Sequence, residues 1–254
     1  MIRQIPPVNK DKLIDGLKRL KLKHIRGILD DVNEIAMAEE AGYLDFLGYL
    51  VDYEVNGRDQ TLENKNLISA KFPNIKTIDT FDFTFQNSVS QQVIHDLSRL
   101  EFINNHENVI FLGPPGVGKS HLAIGLGYEA VRAGYKVRFY SFGDLIDDLY
   151  SSLADGTVRK KIRSILRNDL IIIDEVGYQA MNQIASDHFF QLISNAYENR
   201  SLIITSNLDF AEWGTLFASS STASAVLDRL LHHAHVFPLK GESYRIRTRM
   251  VPLL

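Results

Sequence analysis

The chain has 254 residues, enough for one large domain or for a core domain with a small accessory one. Its 45% hydrophobic content suits a soluble globular core, and a formal charge of −3 does not advertise a nucleic-acid partner, which would have to rest on local basic patches. There is no cysteine, which excludes disulfides, thiolate metal sites and cysteine nucleophiles and fits a reducing cytoplasm.

Met1 to Lys10 carries charge and two prolines and no apolar run of signal-peptide length. No run reaches the roughly 18 apolar residues of a membrane span, so no membrane association is expected. From Asp11 to about Ala70 the pattern is helical. Leu13, Ile14, Leu17 and Leu20 recur at three- and four-residue spacing, as do Ile25, Ile28 and Leu29, then Tyr43, Phe46, Leu47, Leu50 and Val51. Ala41–Gly42 breaks the run. Basic residues from Lys10 to Arg26 crowd its start, and acidic ones from Asp30 to Glu40 follow. The stretch from Phe72–Pro73–Asn74 to Phe81–Asp82–Phe83 has turn signals and no helical period, and reads as a linker. The expected organisation is a helical domain over 1–70, a linker over 71–86 and a nucleotide-binding domain over 87–254.

Beyond Asn87, helices and buried strands alternate. A helix is expected near Gln91 to Asn105, then a strand at Asn108 to Leu112. A glycine-rich loop follows, then a helix from Lys119 to Ala133 with Gly134 at its C-cap. Lys136 to Ser141 reads as a strand. Gly143 to Leu153 and Val158 to Arg167 read as helices, and Leu170 to Ile173 as a central strand apolar on both faces. A helix near Ile184 to Asn199 leads to a strand at Ser201 to Thr205. Repeated strand–helix–strand units predict an α/β fold, a parallel central sheet flanked by helices.

Gly113 to Ser120 read G-P-P-G-V-G-K-S between a predicted strand and a predicted helix, the context a phosphate-binding loop requires. Glycines allow backbone conformations closed to residues with a Cβ, so the loop's N–H groups can turn inward to phosphate oxygens at a helix N-terminus. Lys119 would reach the β- and γ-phosphates of ATP, and Ser120 would give its hydroxyl to Mg²⁺. The expected nucleotide-binding set is Gly113, Pro114, Pro115, Gly116, Val117, Gly118, Lys119, Ser120 and His121. A ligand-free glycine turn is the bland alternative.

Asp174 and Glu175 emerge where the strand Leu170 to Ile173 ends, the edge at which open α/β sheets bind ligands. Asp174 would hold Mg²⁺ with Ser120 or through water. Glu175 would act as general base toward the attacking water. An adjacent second acid separates this pattern from small-molecule P-loop kinases, which activate no water. Two solvated acids at a strand end are the alternative.

Ser206–Asn207 ends the next strand. Asn207 is either a turn residue or an amide that orients the attacking water. Arg229, in the helical stretch Ala223 to His232, is either a salt-bridged surface residue or an arginine finger toward a neighbouring subunit's γ-phosphate. His232, His233 and His235 lack a known metal spacing and read as packing and surface residues. Arg159, Lys160, Lys161, Arg163 and Arg167 form the densest basic run. Positions 160, 163 and 167 share a helical face, which suits either DNA phosphates or solvent.

With these motifs in place, the chain resembles the IstB-type transposition helper ATPases of bacterial insertion sequences, AAA+ proteins akin to the DnaC helicase loaders and DnaA initiators. The resemblance runs nearly the whole length. It rests on Glu107 to Gly116, Leu170 to Glu175, Ile203 to Asn207, Leu227-Asp228-Arg229-Leu230-Leu231-His232-His233-Ala234-His235 and Lys240 to Arg245. Tyr43 to Leu47 and the approach from Lys71 to Phe83 extend it N-terminally.

It implies an AAA+ P-loop NTPase, preceded by a small all-helical N-terminal domain and followed by a minimal C-terminal lid. It implies Asn207 as sensor 1, Arg229 as arginine finger and Arg245 as sensor 2, with catalysis by Lys119, Asp174, Glu175, Asn207 and Arg229. DNA contact through the basic run, homo-oligomers with ATP between subunits, and a cognate transposase as partner follow as expectations. A more basic end to the N-terminal domain is usual in such relatives, and here Asn56 to Lys65 is mixed in charge. A DnaC-like replicative helicase loader is the alternative function.

Overall fold

The computed structural model describes residues 7–154 and 156–250. They divide into two compact units between Lys65 and Asn66. The first holds α1 (Lys10–Arg19), α2 (Lys23–Ala38) and most of α3 (Tyr43–Ala70). Asn9 caps α1, its side chain accepting the Lys12 N–H at 3.0 Å. Leu17, Ile25 and Leu50 form a small buried centre, with Phe46, Ile28 and Val32 packed around it.

No side chain at Leu22 caps α2, so the open amides of its first turn find a partner on another helix. The buried carboxylate of Glu54 accepts the His24 and Ile25 N–H groups at 2.8 and 3.0 Å and the Arg58 guanidinium at 2.8 Å. Burial alone would raise the pKa of Glu54. The bonds from Ile25, Arg58 and His24 outweigh it and hold the group below its ordinary value.

The second unit is built on a sheet of β1 (Asn108–Leu112), β2 (Val137–Ser141), β3 (Leu170–Val176), β4 (Ser201–Ser206) and β5 (Ala234–Pro238). Its strand order is β2-β3-β4-β1-β5, and every pair is parallel. α4 (Gln91–Leu97) and α5 (Glu101–Asn104) precede β1, and between the strands run α6 (Lys119–Arg132), α7 (Phe142–Ala154), α8 (Val158–Ile165), α9 (Gln183–Ala196) and α10 (Ser220–Leu231). α11 (Tyr244–Met250) follows β5. Alternation along the strands feeds two cores. Val109, Phe111, Ile172 and Ile203 face Leu122 and Leu126 of α6, while Ile110, Ile173 and Ile204 face Phe189 and Leu192 of α9. Because β4 lies between β1 and β3, the loops leaving these three strands converge at one edge.

Several expectations need correcting. The helix expected over Gln91 to Asn105 is two, because Leu100 takes a left-handed turn (φ 65°) and Leu100, Phe102 and Ile103 are all buried beyond it. α8 stops at Ile165, so Arg167 lies past its end and off the helical face assigned to it. β5 gave no strand signal, because none of its residues is buried and no apolar alternation is imposed on it, unlike β2 at the other edge, where Val137, Phe139 and Tyr140 are covered. Segment 71–86, read as a linker, carries a 3₁₀ turn at Ile78–Thr80. Ile78 and Gln86 are buried, and Phe72, Phe81 and Phe83 pack on the α6 side of the sheet. Among the described residues no helix is long and apolar enough to cross a membrane.

Candidate functional site

The loop between β1 and α6 turns on glycines that nothing else could replace. Gly113 (φ 139°) sits so close to the backbone of Leu239 that a Cβ would strike its carbonyl oxygen. Gly118 (φ 103°) is the N-cap of α6, where the chain must turn before the helix N–H groups open toward the loop. The buried Lys119 ammonium donates to the carbonyls of Gly113 and Pro114 at 2.6 and 2.8 Å. Burial lowers its pKa. Asp174 and Glu175 oppose that shift, and Arg245 reinforces it. A cation already poised among carbonyls and acids has its strongest partner in a polyphosphate.

Opposite the loop, β3 ends irregularly. Ile173 pairs with Ile204 and Val176 with Ser206, so Asp174 and Glu175 together face the single residue Thr205. Glu175 sits at φ 65°, a left-handed conformation that costs a residue with a Cβ about 1–2 kcal/mol. Asp174 is buried and Glu175 exposed. The Ser120 hydroxyl donates to Asp174 Oδ1 at 2.8 Å, and Thr205 donates to the same oxygen at 2.5 Å. Thr205 Oγ1 accepts the Glu175 N–H at 2.9 Å. A hydroxyl and a carboxylate in contact are hard oxygen donors of the kind Mg²⁺ takes alongside phosphate oxygens. Ser120 and Asp174 therefore fit the cation a nucleotide would bring.

These residues line one cleft of about 820 Å³, within the size range of small-molecule sites. Asn207 lines it too. Its side-chain oxygen is buried without a protein partner, and a Cβ on the facing Gly177 would come within 2.5 Å of it. Arg245 also lines the cleft, brought there by α11, whose Tyr244 N–H donates to the Gly116 carbonyl at 3.0 Å. His121 lines the opposite wall. Its Nε2 contacts the Thr77 carbonyl at 2.9 Å, which fixes the proton on that nitrogen, and its ring meets Phe81 edge-on. Burial lowers its pKa, against the Thr77 bond.

Arg229 lies elsewhere. Half-buried on α10, it donates to the Ala225 carbonyl at 2.8 Å and stacks over Phe190, outside this cleft. The basic run is also apart. Val158, Ile162 and Ile165 anchor α8 in the core and leave Arg159, Lys160 and Arg163 exposed. Lys161 is paired with Asp148 at 2.5 Å, and Arg167 is exposed beyond the helix. His232 and His233 gather with Glu198, all exposed, their ligand-type atoms within 4.8 Å of one another, while His235 instead bonds Glu107 at 2.7 Å.

Sequence reasoning missed two parts of the site. Thr205 appeared only as a strand residue. The wall from Pro73 to Gln86 was read as linker, yet Phe81, Asp82 and Phe85 line the cleft and the Gln86 amide donates to the Val117 carbonyl at 3.0 Å. The alternation Phe81-Asp82-Phe83-Thr84-Phe85 was the available signal of a surface packed on one side.

Among known proteins, the chain is 41% identical to an ATP-binding protein of the insertion sequence IS21 from Pseudomonas aeruginosa, across 92% of this chain and 88% of that one. It is 40% identical to an ATP-binding protein of the insertion sequence IS5376 from Geobacillus stearothermophilus, across 94% and 96%. Among solved structures, a DnaC helicase loader matches 65% of this chain and 96% of its own with a TM-score of 0.51 at 24% identity. A DnaA replication initiator bound to AMPPCP and single-stranded DNA matches 70% and 56% with a TM-score of 0.55 at 18% identity. At these identities the structures speak for the fold, the AAA+ arrangement of sheet and phosphate loop. The sequence pattern of IstB-like ATP binding proteins matches residues 15–251. The chain belongs to the family of IstB-like ATP-binding proteins and carries its AAA+ fold.

Proposed function

We propose that the protein is an ATP-hydrolysing, DNA-binding regulator of insertion-sequence transposition. The observation that carries the reading is the cluster of Lys119, Ser120, Asp174 and Glu175 at one strand edge, with Asn207 beside it. Lys119 and the loop amides bind the phosphates. Ser120 and Asp174 would hold Mg²⁺, which when bound would supply positive charge to stabilise the charge that develops on the transferred phosphate. Glu175 takes a proton from the water that attacks the γ-phosphorus. The bond from that phosphorus to the bridging oxygen breaks, leaving ADP and phosphate. Asn207 orients the water.

Arg229 lies outside its own chain's cleft, which supports a role toward a neighbouring subunit's γ-phosphate. ATP then sits between subunits and promotes homo-oligomers on duplex DNA. The oligomer deforms the DNA and recruits the cognate transposase, and hydrolysis releases it. The exposed cations of α8 and Arg167 supply phosphate contacts, which imply weak sequence preference. Relatives matched over nearly the full length are named for insertion sequences, which supports this reading over a helicase loader.

The test is duplex-DNA binding with a non-hydrolysable ATP analogue against ADP, read by anisotropy and sedimentation. The proposal expects tighter binding and larger assemblies with the analogue. It also expects Lys160→Glu with Arg163→Glu to flatten the salt dependence, by about 0.9 in log–log slope for each phosphate no longer neutralised. Equal affinity in both nucleotides with no nucleotide-dependent assembly would overturn it.

A further inference from the structure

We infer that the Thr205 hydroxyl is the positioning group that holds Asp174 and Glu175 in a working arrangement. The inference rests on the hydrolytic reading above. Neighbouring residues of a regular strand point to opposite faces of the sheet, so a metal-holding acid and a general base side by side in sequence would be carried apart. Here the chain departs from regularity between Ile173 and Val176, and both acids oppose Thr205 alone. Bulges are uncommon in parallel pairs and bend the strand that carries them, re-aiming its side chains.

The irregularity takes the Glu175 N–H out of the ladder, and Thr205 Oγ1 accepts it at 2.9 Å. The proton of the same hydroxyl goes to Asp174 Oδ1 at 2.5 Å, where the Ser120 hydroxyl also arrives at 2.8 Å. A hydroxyl has one proton to give and lone pairs to receive, so Thr205 is satisfied in both roles. Thr205 is fully buried, so water cannot replace it. A continuous chain thus runs from the backbone of the base, through Thr205, to the metal-holding carboxylate and the first turn of the phosphate-loop helix. Thr205 touches neither phosphate nor the attacking water in this scheme. It acts through the two acids.

The discriminating pair is Thr205→Val, which keeps shape and β-branching and loses the hydroxyl, and Thr205→Ser, which keeps the hydroxyl. Both are made in the full-length chain and assayed for ATP hydrolysis with duplex DNA across a Mg²⁺ titration. Thr205→Val should lower kcat about 10–100-fold and raise about tenfold both the Mg²⁺ needed for half-maximal rate and the Mn²⁺ needed for half-maximal binding beside a non-hydrolysable ATP analogue, read by electron paramagnetic resonance, the range for groups that orient metal ligands. KM for ATP should stay within about threefold, because phosphate binding by the loop is untouched. Thr205→Ser should restore most of the rate. If Thr205→Val does not fold, Thr205→Ala carries the same expectation. A hydroxyl-free variant with wild-type kcat and Mg²⁺ dependence overturns the inference, and so does a serine variant as impaired as the valine one. A wild-type chain that hydrolyses no ATP overturns the hydrolytic reading instead.

Discussion

The two units of this chain solve the same problem, placing helices against one another, with unequal means. The sheet unit buries apolar side chains on both faces of four of its five parallel strands, β1 to β4, and its helices are held by two extended cores. The N-terminal unit has Leu17, Ile25 and Leu50 at its centre and ties α2 to α3 through one buried carboxylate, Glu54. Along α3 it leaves Leu44, Leu47, Val51 and Val55 exposed, at spacings that place them on one side of the helix. A large core leaves room for a strained, polar feature such as the Asp174–Glu175 irregularity, because the surrounding strands over-determine it. A small core has no such reserve, and a single polar group decides its stability.

That contrast can be broken at two points. Arg229→Ala should have the larger effect, on hydrolysis alone. Removal of an arginine finger lowers turnover about 10³-fold or more, while each chain still binds ATP and melts as before. Mixing Arg229→Ala with Glu175→Gln should recover activity in mixed oligomers, since each supplies what the other lacks. Activity retained in Arg229→Ala alone, by steady-state assay, would return the residue to a structural role on Phe190. Glu54→Ala should show the reverse pattern. Leaving the His24 and Ile25 amides and the Arg58 cation without their buried acceptor should cost the N-terminal unit about 3 kcal/mol. Calorimetry of the full-length chain should show that unit melting earlier, with ATP binding intact. Because the folded pKa of Glu54 lies below its unfolded value, its contribution is present above the ordinary carboxylate range and fades as pH falls through the folded pKa. Uniform loss across both units would mean they are not independent.

How much of this was legible beforehand follows the same division. In the sheet unit, apolar runs such as Leu170 to Ile173 and the spacing of Gly113 to Ser120 announced strand, loop and helix, because burial on both faces and phosphate geometry constrain residue types tightly. In the N-terminal unit the period of Tyr43, Phe46, Leu47, Leu50 and Val51 announced a helix. It did not announce which residues are covered: Leu50 is buried, whereas Tyr43, Leu47 and Val51 are exposed. β5 was illegible because none of its residues is buried, so nothing demands apolar alternation there, and the Pro73–Gln86 wall because its packing is aromatic and irregular. Thr205 was hidden for another reason. Its role exists only once β3 slips by one residue against β4, and no one-dimensional pattern reports a register shift.

The proposed hydrolysis assigns Glu175 the role of base, and one variant tests that role most directly. Glu175→Gln keeps size and hydrogen-bonding capacity and removes only the capacity to accept a proton at neutral pH. With single-turnover release of γ-phosphate measured beside equilibrium binding of ATP, the expected result is wild-type affinity and at least about a hundredfold loss of rate. Release at the wild-type rate from Glu175→Gln would contradict it.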